Sequence, residues 1–391
     1  MKRFLSDDVL HYLATQERFE SLRLATIQQH GRNLCDLAYA NPYDGPVPEA
    51  IEAMQNALET THRLNLQYTP YGGNTMTRRL IAQHLSKSHG KRFPWRNVVL
   101  TPGSMAALNL VFRSMFRKWF QSKCLIITPC WLDYPLYLTN LGIEPVMVPV
   151  DPVTKRLDLN AIEAALDERV HGVILSQPAN PSGLIYNEEE LRGLGEVLNR
   201  APNPPLLISD ECHRGIIFDD TPFVSPVTYY PNTCVAYSFG KSLQIQGQRI
   251  GYVAVNPDME RADEYAVILE RLCRIMGFCT PTALMQIAIR ELLDAGPDMT
   301  RLQKRRDALY AALTGAGYQV VKPQSTFFMF PKAGEADDFH FARELAQHGV
   351  LVTPSSLFHY PGHFRVSITC SDEMLERALP IFQQVLAGCC S

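Results

Sequence analysis

Hydrophobic positions fall into two regimes along the chain. In the first, short and nearly continuous apolar runs alternate with amphipathic stretches. The runs are Val98–Thr101, Lys123–Thr128 (KCLIIT), 172–175, 205–209 (PLLIS) and 235–237. A run apolar at every position, rather than at every second one, is expected of a strand covered on both faces, as in a parallel sheet. Between the runs, Thr75–His89 and the segment from Ser104 to about Phe120 read as helices, and Pro48 opens another (PEAIEAMQNALE) at its first position. Residues 1 to about 35 read as a mixed helical arm.

From about Pro257 the pattern changes. MERADEYAVILERLCRIM is a long amphipathic run, followed by a break at 277–281 and more helix to Leu293. Helix 298–315, Tyr318-Gln-Val-Val, Ser325-Thr-Phe-Phe-Met-Phe, helix 339–348, Val350-Leu-Val, Phe364-Arg-Val-Ser-Ile and a final helix then describe an α+β unit. The expected organisation is an N-terminal arm and small-domain segment over 1–45, a large α/β domain over 46–265, and a smaller domain over 266–391 entered by a long connecting helix.

The chain has 391 residues, which suits two cores better than one. Hydrophobic residues make up 46% and charged residues 20%, as in a soluble globular protein. Lys+Arg 37 against Asp+Glu 40 gives a net charge of −3, with no basic half to bind nucleic acid. No apolar stretch is long enough to span a membrane, and the N-terminus carries no signal-peptide pattern. The ten cysteines lack paired metal-ligand spacing and read as thiols in a reducing cytoplasm. Gly388 leaves the terminal Cys389-Cys390-Ser391 without a prenylation signal.

Candidate chemistry gathers just beyond the carboxyl ends of the apolar runs. Gly103, Trp131, Asn180, Asp210 and Lys241 all lie there. In an open α/β sheet that edge is where ligands bind. Pro102-Gly103-Ser104-Met105 joins a strand to a helix start, a generic anion site. Asp210 ends a buried strand, where a carboxylate is costly unless paired. Lys241 stands between Ser238 and Arg249 in CVAYSFGKSLQIQGQRIGY. Small residues desolvate an amine there, and hydroxyl and guanidinium donors suit a phosphate: the setting of a lysine that forms a Schiff base. Arg365 opens an otherwise apolar strand and needs an anionic partner if it points inward.

In this order the motifs resemble the aminotransferase class I/II family of fold-type I pyridoxal-phosphate (PLP) enzymes, over roughly residues 35–385. The resemblance implies a mostly parallel, seven-stranded sheet sandwiched by helices, with a smaller α+β C-terminal domain. It implies PLP on Lys241, a phosphate cradle at Gly103, Ser104 and Met105 with Ser238 and Arg249, and Trp131 stacked on the pyridine ring. Asn180 would donate to the ring oxygen, and Asp210 would hold the ring nitrogen. Arg365 would clamp the substrate α-carboxylate, near Ala40 and Asn180. Tyr68, in the loop Tyr-Thr-Pro-Tyr-Gly-Gly, would reach the partner subunit's phosphate in an obligate homodimer. Tyr134, Phe358, Tyr39 and His213 are the remaining candidates for the substrate pocket.

The departures from the family pattern are Ala40 for glycine, Gly240 for the commoner serine, Gln248 for tryptophan, Ser325 for glycine, and His213 for tyrosine. Asp-Glu-x-His looks like the carbon–sulfur β-lyase branch. Imidazole can be charged near neutral pH; His213 could donate to the cofactor's ring oxygen, or turn and act as an acid towards a leaving group. The primary expectation is an aminotransferase working between an L-amino acid and a 2-oxo acid. Elimination, or cyclodehydration of a hydroxylated amino acid in specialised metabolism, is the alternative. A catalytically silent PLP-binding regulator is a further one. Ser238-Phe-Gly-Lys241 also matches the Ser-x-x-Lys motif of acyl-serine hydrolases, but their Lys-Thr-Gly strand is absent. No metal site is expected.

Overall fold

A computed structural model describes residues 5–59, 66–117, 121–277, 280–334 and 337–389. Its centre is a seven-stranded sheet. The strands are β1 (Val98–Thr101), β2 (Lys123–Thr128), β3 (Glu144–Pro149), β4 (Val170–Ser176), β5 (Leu206–Asp210), β6 (Thr233–Ser238) and β7 (Gly251–Val255). They lie in the order β1-β7-β6-β5-β4-β2-β3. Strand β7 is antiparallel to both neighbours, and the remaining pairs are parallel. Strands β1 and β6 therefore share one direction, and all carboxyl ends except that of β7 face the same edge.

The continuous apolar runs became strands because both faces are covered. On one face the helices Ser104–Met115 and Ala262–Met276 cover β1, β6 and β7, packing Leu108, Val111 and Leu269 on Val99, Cys234 and Val253. On the other, helix Glu188–Asn199 packs Leu191, Leu194 and Leu198 on Leu125, Val173 and Leu207. That helix starts on a capping box of Asn187 and Glu190. Asn74 caps Thr75–His89 through Met76 N and Thr77 N. The helix that begins at Ser104 stops at Met115, short of the expected end; Phe120 lies outside the described residues, as do part of the 277–281 break and the terminal Cys390-Ser391.

The second unit holds a three-stranded antiparallel sheet of Thr353–Pro354, Phe364–Ser367 and Phe328–Met329. Cys35–Asp36 pairs in parallel with Val350–Leu351, so the segment after the N-terminal helix (Asp7–His30) is built into this unit. Its core joins Cys35, Leu37 and Ala40 to Phe341, Phe364 and Phe382.

Two expectations need correction. The amphipathic run after Pro257 buries Ala262, Ala266, Leu269 and Cys273 on the large sheet, and Met285, Ile289 and Leu292 do the same on the cluster beneath β1 and β7. The second core therefore begins with helix Met299–Ala316, not at 266. Tyr318-Gln-Val-Val forms no strand.

Candidate active site

The common strand direction brings Ser104, Trp131, Asn180, Asp210 and Lys241 around one cavity of about 220 Å³. The second unit closes it with Phe328 and Arg365, and the N-terminal segment with Tyr39 and Ala40.

At one end, Gly103 has φ +79°, and a Cβ there would stand 2.3 Å from Arg249 Nη2. Only glycine lets the guanidinium lie against this turn. The free N–H groups of helix Ser104–Met115 begin at the same point, and Met105 lines the cavity beside Ser104. Arg249 is anchored by its Nη1 donating to the Gln246 carbonyl at 2.6 Å. Ser238 Oγ accepts from Gly240 N at 3.3 Å. Gly251 is forced too: a Cβ would stand 2.2 Å from the Tyr237 carbonyl and 3.0 Å from Gly103 Cα. The lysine strand and the anion turn can thus lie on either side of β7.

Lys241 lies in the short helix Phe239–Ser242 that follows β6. Burial brings its amine down to about 8, aided by Arg365 and Arg249 and opposed by Cys212 and Asp210. Across the floor, Asp210 ends β5. Its Oδ2 accepts from Tyr134 OH at 2.5 Å and its Oδ1 from Cys212 N at 3.2 Å. Burial raises the carboxyl pKa, and these donors oppose the shift. Tyr134 was expected in the substrate pocket. It does not line the cavity: it is fully buried and its hydroxyl is committed to Asp210 from behind.

His213 is buried, edge-on to Phe327 and Phe328, with no partner at Nδ1. Burial first, then Lys241 and Arg365, hold it well below its usual pKa. The ring is neutral at physiological pH. It can donate one hydrogen bond and accept one.

Arg365 is 6% exposed. Its Nη2 donates to the Ala38 carbonyl at 2.8 Å and its Nη1 to Asn180 Oδ1 at 3.4 Å. Its guanidinium lies 4.0 Å from the Phe328 ring centre and 4.6 Å from that of Phe358. Phe358 therefore acts beneath the arginine and not on the cavity wall. Burial lowers the Arg365 pKa to about 9, so the group stays charged. Among the described residues no carboxylate pairs with it, and its Nε has no partner.

Tyr68 is not brought to this cavity. It is fully exposed, in a groove with Thr69 and Thr280. Sequence reasoning missed Leu132, Ser176, Cys212, Gln246 and Phe328 as cavity residues. Ser176 is the last residue of β4 and Cys212 lies between two candidates, so strand-end position could have found both. Gln246 and Phe328 carry no local signal.

The donor set fits PLP: a partly neutral amine, a buried carboxylate for a ring nitrogen, an unpartnered neutral imidazole, and a glycine turn with arginine and serines for a phosphate. Fold and site thus define a PLP-dependent enzyme. The chain matches the model of aminotransferase class I and II over residues 32–382, and it belongs to that family. It is 28% identical to a probable aspartate/prephenate aminotransferase of Aquifex aeolicus (strain VF5), covering 99% of both chains. It is 27% identical to the aspartate aminotransferase of Geobacillus stearothermophilus, covering 94% of this chain and 93% of the other. The crystal structure of an amino transferase from Eubacterium rectale superposes with a TM-score of 0.90 at 29% identity, covering 96% of this chain and 95% of that one. The chain is a PLP-dependent aminotransferase acting on an amino acid and a 2-oxo acid. The matches give no support to elimination or cyclisation. Among the described residues no helix is long and apolar enough to cross a membrane.

Proposed function

We propose a homodimeric, cytoplasmic L-amino-acid aminotransferase in which Arg365 receives the substrate α-carboxylate and Lys241 moves the α-proton. The observation that carries this is the buried Arg365 guanidinium, which lines the same cavity as Lys241 and has no carboxylate of its own among the described residues. An unpaired buried charge is costly, and a bound carboxylate removes that cost. Bidentate pairing also fixes the orientation of the substrate α-carbon.

PLP, when bound, supplies the electron sink that stabilises the electrons left by the α-proton. Asp210, steadied by Tyr134 and Cys212, would hold the ring nitrogen. Ser104, Ser238, Arg249 and the helix N-terminus would hold the phosphate. Trp131 would cover one ring face, and Asn180 and neutral His213 would face the ring oxygen. Lys241, with its amine near 8, exists partly as the free base and can accept and return a proton. Phe328, Leu132 and Tyr39 limit water around it.

Adding L-amino acids one at a time to the PLP-loaded protein, without any 2-oxo acid, tests this. The expected result is conversion of the bound cofactor to its amino form, with one equivalent of 2-oxo acid released per site. Aspartate, named for the relatives, is the first donor to try. Ammonia release without the amino form would overturn the reading.

Support for the dimer comes from exposed apolar side chains. Tyr68, Tyr71, Met76, Val267, Ile268 and Ile275 are all exposed, and Arg274 lies over the Tyr71 ring at 5.7 Å, joining their loop to helix Ala262–Met276. Such a patch marks an association surface. Tyr68 would serve the partner's site from it. Mixing Lys241→Ala with Tyr68→Phe subunits should give hybrids more active than either parent, and a monomer in sedimentation would rule the arrangement out. The cytoplasmic location is supported by the buried thiols of Cys35, Cys124, Cys130, Cys212, Cys234 and Cys370.

A further inference from the structure

A second and larger cavity, of about 740 Å³, opens between the two units and shares no lining residue with the active site. Its size is that of a small-molecule site, and the junction of two units is a common place for one. The large unit supplies Pro129, Val150, Lys155 and Leu184, and the second unit supplies Val320, Phe330, Lys332, Tyr360 and His363.

Charge and shape both restrict an occupant. Lys155 and Lys332 line the groove, and among the described residues none of its lining is a carboxylate. Lys155 Nζ reaches across to the Tyr360 hydroxyl at 3.1 Å and lies 5.2 Å from the ring centre. Its backbone is held in a left-handed conformation, φ +59°, within a tight turn. Asp151 begins that turn, but its carboxylate accepts from Val153 N, Thr154 N and Thr154 Oγ and does not line the groove. The hydrogen bonds of its own turn lower the Asp151 pKa, with a smaller contribution from the Lys155 charge, and among the described residues no acid lines the groove beside either lysine.

The floor is aromatic. Phe330 and His363 stack face to face, centroids 5.0 Å apart at 8°, and the Tyr360 ring is 5.2 Å from His363. His363 Nδ1 is buried without a partner. Burial, with Lys155 and Lys332 nearby, holds this imidazole at about 4 against a hydrogen bond to the Pro361 backbone, so it is neutral and adds no charge of its own.

We propose that this groove binds a small aromatic carboxylate, its ring on the Phe330–His363–Tyr360 surface and its anion between Lys155 and Lys332. A flat apolar body satisfies the stacked floor, and a carboxylate satisfies both ammonium groups. The occupant touches both units, so it binds the arrangement seen here better than one with the units apart.

The probe is 2-naphthoate, titrated calorimetrically into the PLP-loaded protein. Its uncharged counterpart, 2-naphthamide, is titrated into the same protein. The carboxylate should bind about tenfold or more tighter than the amide, and the double variant Lys155→Gln/Lys332→Gln should lose about tenfold or more in carboxylate affinity. Both lysines lie outside the catalytic cavity, so the variant should keep its amino-transfer rate. Absence of binding at millimolar 2-naphthoate would overturn the proposal. So would equal affinity for the amide, or an affinity unchanged in the double variant, which would place the ligand elsewhere.

Discussion

Replacing Lys241 with alanine should remove the absorbance of lysine-bound cofactor and lower turnover by about a thousandfold or more, since positioned proton transfer alone contributes about 10²–10⁴-fold. Both effects follow from one atom. Among the described residues Nζ is the only amine lining the cavity, and no other described lining group there can form the covalent link. His213, the nearest alternative base by type, is held neutral but carries no amine. The loss should not come from unfolding, because the side chain reaches into a cavity and alanine is compatible with its short helix.

The same lysine sets a pH dependence. Its amine titrates near 8 in the cofactor-free protein, below its ordinary 10.5. Only the neutral amine attacks a carbonyl. Capture of PLP by the apoprotein should therefore slow about tenfold per pH unit below 8 and level off above it. Stopped-flow absorbance over pH 6 to 10 checks this. A plateau delayed to pH 10 would mean that the amine is solvated as an ordinary surface lysine.

How much of this was legible in the sequence depends on whether each feature is local. Strands with apolar residues at every position announced a covered parallel sheet, and with it the edge where Gly103, Asn180, Asp210 and Lys241 meet. The strand β3, EPVMVP, carried no such signal, because prolines at both its ends read as loop, and an edge strand tolerates them. The helix after Pro257 was legible as amphipathic, but not the surface it covers, so its domain was misplaced. Tyr134 shows the same limit. Its place three residues after Trp131 suggested the pocket, whereas the helix that starts there turns its hydroxyl under the sheet to a carboxylate 76 positions on. The charge of His213 depended first on its burial and then on Lys241 and Arg365, 28 and 152 residues away along the chain, which no local pattern contains.

Asp210→Asn should cost about a hundredfold or more in turnover while leaving the fold in place. The side chain is buried and of the same shape as asparagine, so packing changes little. What changes is charge. Tyr134 OH and Cys212 N both donate to this carboxylate, and neither donor is matched in the variant by a negative charge that can hold a protonated ring nitrogen. Tyr134→Phe separates the two contributions. It removes one hydrogen bond to a charged group, worth about 1.5–3 kcal/mol, or about ten- to a hundredfold. The carboxylate itself remains, so this variant should be the milder of the two. The pH response has a defined sign. Burial raises the Asp210 pKa in the cofactor-free protein, so on acidification this carboxylate protonates before an ordinary aspartate does. Initial PLP affinity should fall as pH drops through that raised value, and Tyr134→Phe should move the fall to higher pH, because the lost donor had favoured the anion. Binding titrations of both variants between pH 4 and 8 measure it. An Asp210→Asn protein with wild-type turnover, or a Tyr134→Phe curve displaced to lower pH, would assign the ring nitrogen to another group.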